Sequence, residues 1–232
     1  MFFPYYYFDP TMLVLIPALI LAMYAQFRVR STYGKYSQIY ASSGMTGAEV
    51  ARELLRQNGI YNVTVQQVGG YLTDHYDPTR KVVNLSPQVY HGDSLAAIGV
   101  AAHEVGHAIQ HAVNYRPLQI RASLVPAANI GANWGLPLAI IGFFINSGFM
   151  MNLGLVLFVG ALLFHLVTLP VEFNASNRAI QLLDRGRYLS RQELGGTKKV
   201  LRAAAFTYVA ATLVALANLF RILMLFGMRR DD

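Results

Sequence analysis

The chain has 232 residues, of which 54% are hydrophobic and only 13% charged, with a formal net charge of +7 and no cysteine. Soluble domains carry about 25% charged residues, so this composition is that of a membrane protein, and the lack of cysteine excludes a disulfide framework and thiolate metal ligands. The positive balance does not point to nucleic acid as a partner, because the basic residues are spread along the chain beside its apolar runs instead of forming one stripe.

Residues 1–9 are rich in aromatics (Phe2, Phe3, Tyr5, Tyr6, Tyr7 and Phe8), the composition of a membrane interface. Thr11 to Phe27 is apolar and is followed at once by Arg28, Arg30 and Lys35. A secretory signal carries its positive charge before the apolar run and a small-residue cleavage site after it. The reversed order predicts an uncleaved anchor over residues 1–32, with its amino terminus outside and its basic flank in the cytoplasm.

Residues 33–119 are the least hydrophobic part and are expected to form a small α+β, zincin-like cytosolic lobe. Thr46-Gly47-Ala48-Glu49 has the form of a capping box, and the helix it opens should end at Asn58-Gly59. Asn62 to Val68 alternates at period two before Gly69-Gly70 breaks it, and a second hairpin is expected to turn at Asp77-Pro78-Thr79 into a strand over Arg80–Leu85. The sheet offers either an edge for an extended peptide or simply a surface for the next helix.

That helix carries the principal motif. Asp93 is a candidate N-cap, good helix formers continue through Val113, and Pro117 lies just beyond. Within it, His103-Glu104-Val105-Gly106-His107 matches H-E-x-x-H, the pattern of a zinc-hydrolase helix. Positions four apart on a helix share a face, so His103 and His107 present their imidazoles to one point, with Glu104 placed to act as base on a metal-activated water.

Residues 120–169 read as a membrane hairpin. Pro117 to Asn133 either lies at the interface or extends the next helix, Trp134–Ile145 and Phe149–Leu169 are apolar, and Asn146-Ser147-Gly148 has turn composition. His165, inside the second arm, is a candidate functional residue because ionisable groups are rare there. Residues 170–202 form a second cytosolic segment, in which a helix starts after Pro170 and ends near Gly186, and Ser190-Arg191-Gln192-Glu193 is another capping-box candidate. Residues 203–232 hold the last apolar run, interrupted by Arg221, which either spans or lies partly at the interface.

Four membrane segments result, and charge orients them. Of 19 Lys and Arg, 9 fall between the first segment and the hairpin and 7 between the hairpin and the last segment, so 16 share the face assigned to the cytoplasm.

Catalytic zinc usually has three protein ligands and a water. A histidine ten residues after the first is excluded, because that position is Val113. His111 lies about 80° around the helix from His103, which suits a supporting or substrate-contacting role. Glu172, at the exit of the hairpin and on the same side of the membrane, is the better third ligand. Ser176, four positions on, can accept an imidazole N–H. Arg178, Asn177, His111 and His165 are candidates for stabilising the oxyanion.

H-E-V-G-H-A-I-Q-H, then a hydrophobic hairpin, then L-P-V-E-F-N-A-S-N-R-A, resembles the YugP-type family of bacterial membrane zinc metallopeptidases. The resemblance covers nearly the whole chain, including the anchor and Leu85-Ser86-Pro87. HtpX-like membrane proteases are similar in plan, although there an aspartate follows the later glutamate by four residues, where this chain has Ser176. The resemblance implies a zinc-dependent endopeptidase of the bacterial plasma membrane that acts on membrane or membrane-associated proteins in quality control. The rival reading is a non-enzymatic adaptor or chaperone-like scaffold cross-linked by zinc. Glu104 argues against it, since a structural site is more often closed by four ligands.

Overall fold

The structure, a computed structural model, describes residues 10–230. The aromatic residues 2–8 and Asp231 and Asp232 fall outside that range. The elements are a short 3-10 turn at Pro10–Val14, then α1 (Leu15–Tyr36), α2 (Gly47–Gln57), β1 (Thr64–Gln67), β2 (His75–Asp77), β3 (Val82–Leu85), α3 (Pro87–Tyr90), α4 (Leu95–Ala112), α5 (Arg116–Ile130), α6 (Leu136–Phe144), α7 (Gly148–Arg185) and α8 (Arg191–Arg230). They divide into two compact units. The first comprises the described residues of Met1–Tyr24, Ser123–Leu166 and Ala210–Asp232, and the second Ala25–Ala122 and Val167–Val209.

The first unit is built from apolar helical segments. Four helices, Thr11–Tyr36, Arg116–Phe144, Gly148–Arg185 and Arg191–Gly227, are long and apolar enough to cross a membrane. Their large side chains point outward: Phe144 is 78% exposed, Phe149 75% and Val156 68%. Such contiguous apolar surface is unfavourable in water and is the surface that lipid covers. Residues 116–130 continue through one π-type turn at Gly131–Gly135 into α6, so of the two expected arrangements the segment extends the next helix. The turn follows at Asn146, in the left-handed region at φ +58°. Within this unit Arg221, inside the last apolar run, is buried and its Nε donates to Thr11 Oγ1 at 3.2 Å.

In the second unit α2 begins with the expected capping box: Thr46 Oγ1 accepts from Glu49 N–H while Glu49 accepts from Thr46 N–H at 2.8 Å. It ends at Asn58 with Gly59 at φ +69°. The sheet has the order β1-β3-β2, with β2 antiparallel and β1 parallel to β3. The Asp77–Arg80 hairpin is therefore present, with its outgoing strand starting at Val82. Gly69-Gly70 is not a hairpin turn, because β1 reaches β3 by a crossover that places β2 on the far side. Buried Val65, Val83 and Leu85 join α2 and α4 in one core with Val50, Leu54, Ile98 and Val105.

Two expectations about helix starts are corrected. The N-cap of α4 is Ser94, whose Oγ accepts from Ala97 N–H at 3.2 Å, and not Asp93. No helix begins after Pro170: α7 runs unbroken through it, so Glu172 sits in mid-helix and its carboxylate is not placed there by a helix N-terminus. α8 starts one residue after Ser190, where Ser190 N–H donates to Glu193 at 2.7 Å, and continues without a break into the last apolar run.

Candidate metal centre

The eighteen residues of α4 are buried almost throughout, which fixes the rotation of the helix and the face its polar residues present. His103 and His107 are one turn apart, with ring planes 86° to each other and Nε2 atoms 3.2 Å apart. α7 supplies Glu172, 2% exposed, whose Oε2 is 3.2 Å from His103 Nε2 and 3.6 Å from His107 Nε2. The close approach of α4 and α7 depends on Gly106. A Cβ there would lie 2.7 Å from the carbonyl oxygen of Ala175 and 3.2 Å from its Cα, and Ala175 is itself fully buried.

The outer ring nitrogens are held by a second set of residues. His107 Nδ1 is 3.0 Å from Gln110 Oε1. The Gln110 amide nitrogen donates to Val171 O at 2.8 Å and to Asn174 Oδ1 at 3.0 Å, so its oxygen must face the imidazole and Nδ1 carries the proton. Asn174 Oδ1 also accepts from Arg178 Nε at 2.8 Å. His103 Nδ1 is 3.2 Å from Ser176 Oγ. With both Nδ1 positions engaged outward, the two Nε2 atoms and a carboxylate oxygen converge on one point, an arrangement that a cation or a shared proton satisfies.

The separations suit zinc. Bonds of about 2.0–2.1 Å in a tetrahedron set ligand atoms roughly 3.3 Å apart, and the three pairs here are 3.2, 3.2 and 3.6 Å apart. Two imidazoles and one carboxylate are also the donor set of an open catalytic site rather than a closed structural one. Glu172 Oε1 turns the other way, 3.7 Å from Arg121 Nη1, which leaves Oε2 as the oxygen offered to the centre.

Electrostatics follow from burial. Glu104 is 7% exposed, and burial raises its carboxyl above the ordinary range against the pull of His103 and His107. For His107 burial disfavours the charged ring, but the hydrogen bond to Glu172 and the charges of Glu104 and Glu172 outweigh it, so its pKa is raised.

His103, Glu104, Glu172 and Ser176 line a cavity of about 160 Å³, together with Asp74 and Tyr208. Among the other residues singled out in the sequence, His111 binds Tyr76 Oη through Nδ1 at 2.8 Å and is not among the residues lining this cavity. Asn177 lines an adjacent groove, Arg178 holds Asn174, and His165 belongs to the first unit. Sequence reasoning passed over Gln110, Asn174, Arg121 and Tyr208. A polar residue three positions after His107 on an otherwise apolar helix was a usable signal for Gln110. Nothing local marks Arg121 or Tyr208, which reach the centre from distant parts of the chain.

A family model described as "putative neutral zinc metallopeptidase" matches residues 11–227. The chain belongs to that family. A protein named "Putative membrane protease YugP", from Bacillus subtilis (strain 168), is 49% identical over 217 residues, spanning 94% of this chain and 96% of its own. No solved structure matches the chain significantly.

Proposed function

We propose that the protein is a zinc-dependent, membrane-bound endopeptidase hydrolysing peptide bonds of membrane or membrane-associated proteins, in the service of protein quality control. The observation that carries the proposal is the convergence of His103 Nε2, His107 Nε2 and Glu172 Oε2 at 3.2–3.6 Å, with Glu104 lining the same cavity as His103 and Glu172. Those three residues would hold one zinc ion per chain. Bound zinc supplies Lewis acidity, polarising the scissile carbonyl and making a water acidic enough to be deprotonated near neutral pH.

The rest of the chemistry belongs to this chain. Glu104 takes the proton of the attacking water and passes it to the leaving amine. A carboxyl whose pKa is raised by burial suits both halves of that transfer. Gln110 keeps His107 in the Nδ1–H form, Ser176 Oγ can accept the corresponding proton from His103, and Arg121 fixes the turn of Glu172. Support for a cytoplasmic site in a bacterial plasma membrane, with the amino terminus outside, comes from the 16 of 19 basic residues on the segments that carry the centre. Glu172→Ala tests the ligand set: zinc affinity should fall by at least a hundredfold, and an unchanged affinity would remove Glu172 from the centre.

A further inference from the structure

Beside the metal cavity, and within the same unit, lies a larger groove of about 500 Å³ between α7 and α8. The two share Ser176, Leu201 and Ala205 as a common wall. Nine residues of α7 separate Glu172, at the metal end, from Gln181 in the groove, and ten of α8 separate Tyr208 from Lys198. At a rise of 1.5 Å per residue, cavity and groove make one trough about 15 Å long.

The far end of that trough is cationic. Lys198 and Arg202 stand one turn apart on α8, both exposed, and both line the groove. The other polar lining residues, Ser176, Asn177 and Gln181, are neutral, and no carboxylate is among the described lining residues. Phe173, Ile180 and Leu201 give the groove an apolar wall. Aliphatic and aromatic lining with two unopposed cations at one end suits a side chain with a short apolar stem and an anionic tip.

We propose that this groove is a subsite for an acidic side chain of a peptide whose backbone crosses the His103–His107–Glu172 centre. The proposal rests on the peptidase reading above and deepens it. A free phosphate or a lipid headgroup would satisfy the cations equally, but the shared wall with the metal cavity favours a chain that occupies both. Arg202 and Lys198 lie about 9 and 15 Å along α8 from Tyr208. An extended peptide advances about 3.3 Å per residue, which places the acidic residue three or four positions from the scissile bond.

The test is binding, measured on zinc-loaded Glu104→Gln protein in neutral detergent by fluorescence anisotropy. Two dye-labelled peptides are compared, identical except for Glu or Gln at the third and fourth positions on either side of a central bond. The Glu peptide should bind roughly five- to tenfold more tightly, as two partly exposed charge contacts allow. Lys198→Gln with Arg202→Gln should abolish that preference while leaving zinc content and affinity for the Gln peptide unchanged. Equal binding of both peptides to the parent, or a preference that survives the double variant, overturns the subsite and leaves the peptidase reading standing. Binding of neither peptide, with no cleavage of either by the wild type, overturns both. Equal peptide affinities, together with phosphatidylglycerol micelles that bind the parent and not the double variant, would assign the groove to a lipid phosphate and overturn the proposal.

Discussion

Replacing Gln110 by leucine preserves the helix and most of the side-chain volume while removing a fully buried amide that joins His107, Val171 and Asn174. Val171 O keeps its helical partner and Asn174 keeps Arg178, so the main casualty is His107 Nδ1–H, left buried without an acceptor. Orphaning a buried donor costs about 1–3 kcal/mol, so zinc-free protein should lose stability on that scale. The ring is then free to rotate or to change tautomer, and loss of such a supporting hydrogen bond typically weakens metal binding about 10–100-fold, or roughly 1.4–2.8 kcal/mol. Competition with a chelating dye in detergent measures the affinity, and thermal unfolding in chelator measures the stability separately. Gln110→Glu sharpens the comparison. It keeps an acceptor for His107 but sets a carboxylate against Asn174 Oδ1 at the 3.0 Å contact. It should therefore lose stability yet hold zinc better than Gln110→Leu. Zinc affinity within twofold of wild type for Gln110→Leu, with His107→Ala strongly impaired, would refute the reasoning.

Gly106→Ala places a Cβ 2.7 Å from backbone that cannot step aside, and overpacking of this kind costs about 1–3 kcal/mol. Both Tm and zinc affinity should fall, and a variant normal in both would show that α4 and α7 are not held at this spacing by Gly106. Asp74 provides a pH test. Burial raises its pKa, against hydrogen bonds from Ser86 N–H at 2.7 Å and Ser86 Oγ at 3.0 Å. A carboxyl that holds its proton more tightly when folded destabilises the fold above its folded pKa, and the penalty is relieved as pH falls through that value toward the ordinary 3.8. In chelator, wild type should therefore gain Tm relative to Asp74→Asn on acidification from neutrality and gain no more below the ordinary value. A difference independent of pH would contradict this.

How much of this was legible in the sequence depends on how local each feature is. His103 and His107 were legible because four-residue spacing on a helix is a fixed geometry. The capping boxes at Thr46 and Ser190 were legible because each lies within four consecutive residues. Glu172 could be selected as a residue, but its setting could not. A proline normally marks a helix boundary, whereas here α7 passes straight through Pro170, as apolar membrane helices tolerate. The sheet misled for the opposite reason. Gly69-Gly70 resembles a turn, yet β1 pairs parallel with β3, a pairing decided by the core beneath it and not by the loop. The chain from His107 through Gln110 and Asn174 to Arg178 exists only because α4 and α7 meet at Gly106 and Ala175. That contact spans some seventy positions and no periodicity reveals it.

The central claim is that His103, His107 and Glu172 hold a catalytic zinc on which Glu104 acts as base. Its most direct test is zinc content per chain together with casein cleavage in detergent, for wild type and Glu104→Gln prepared side by side. The expected result is about one zinc per chain in both, as three protein ligands and a water require, with cleavage by wild type alone. Equal cleavage by both proteins, or no zinc in either, would contradict the claim.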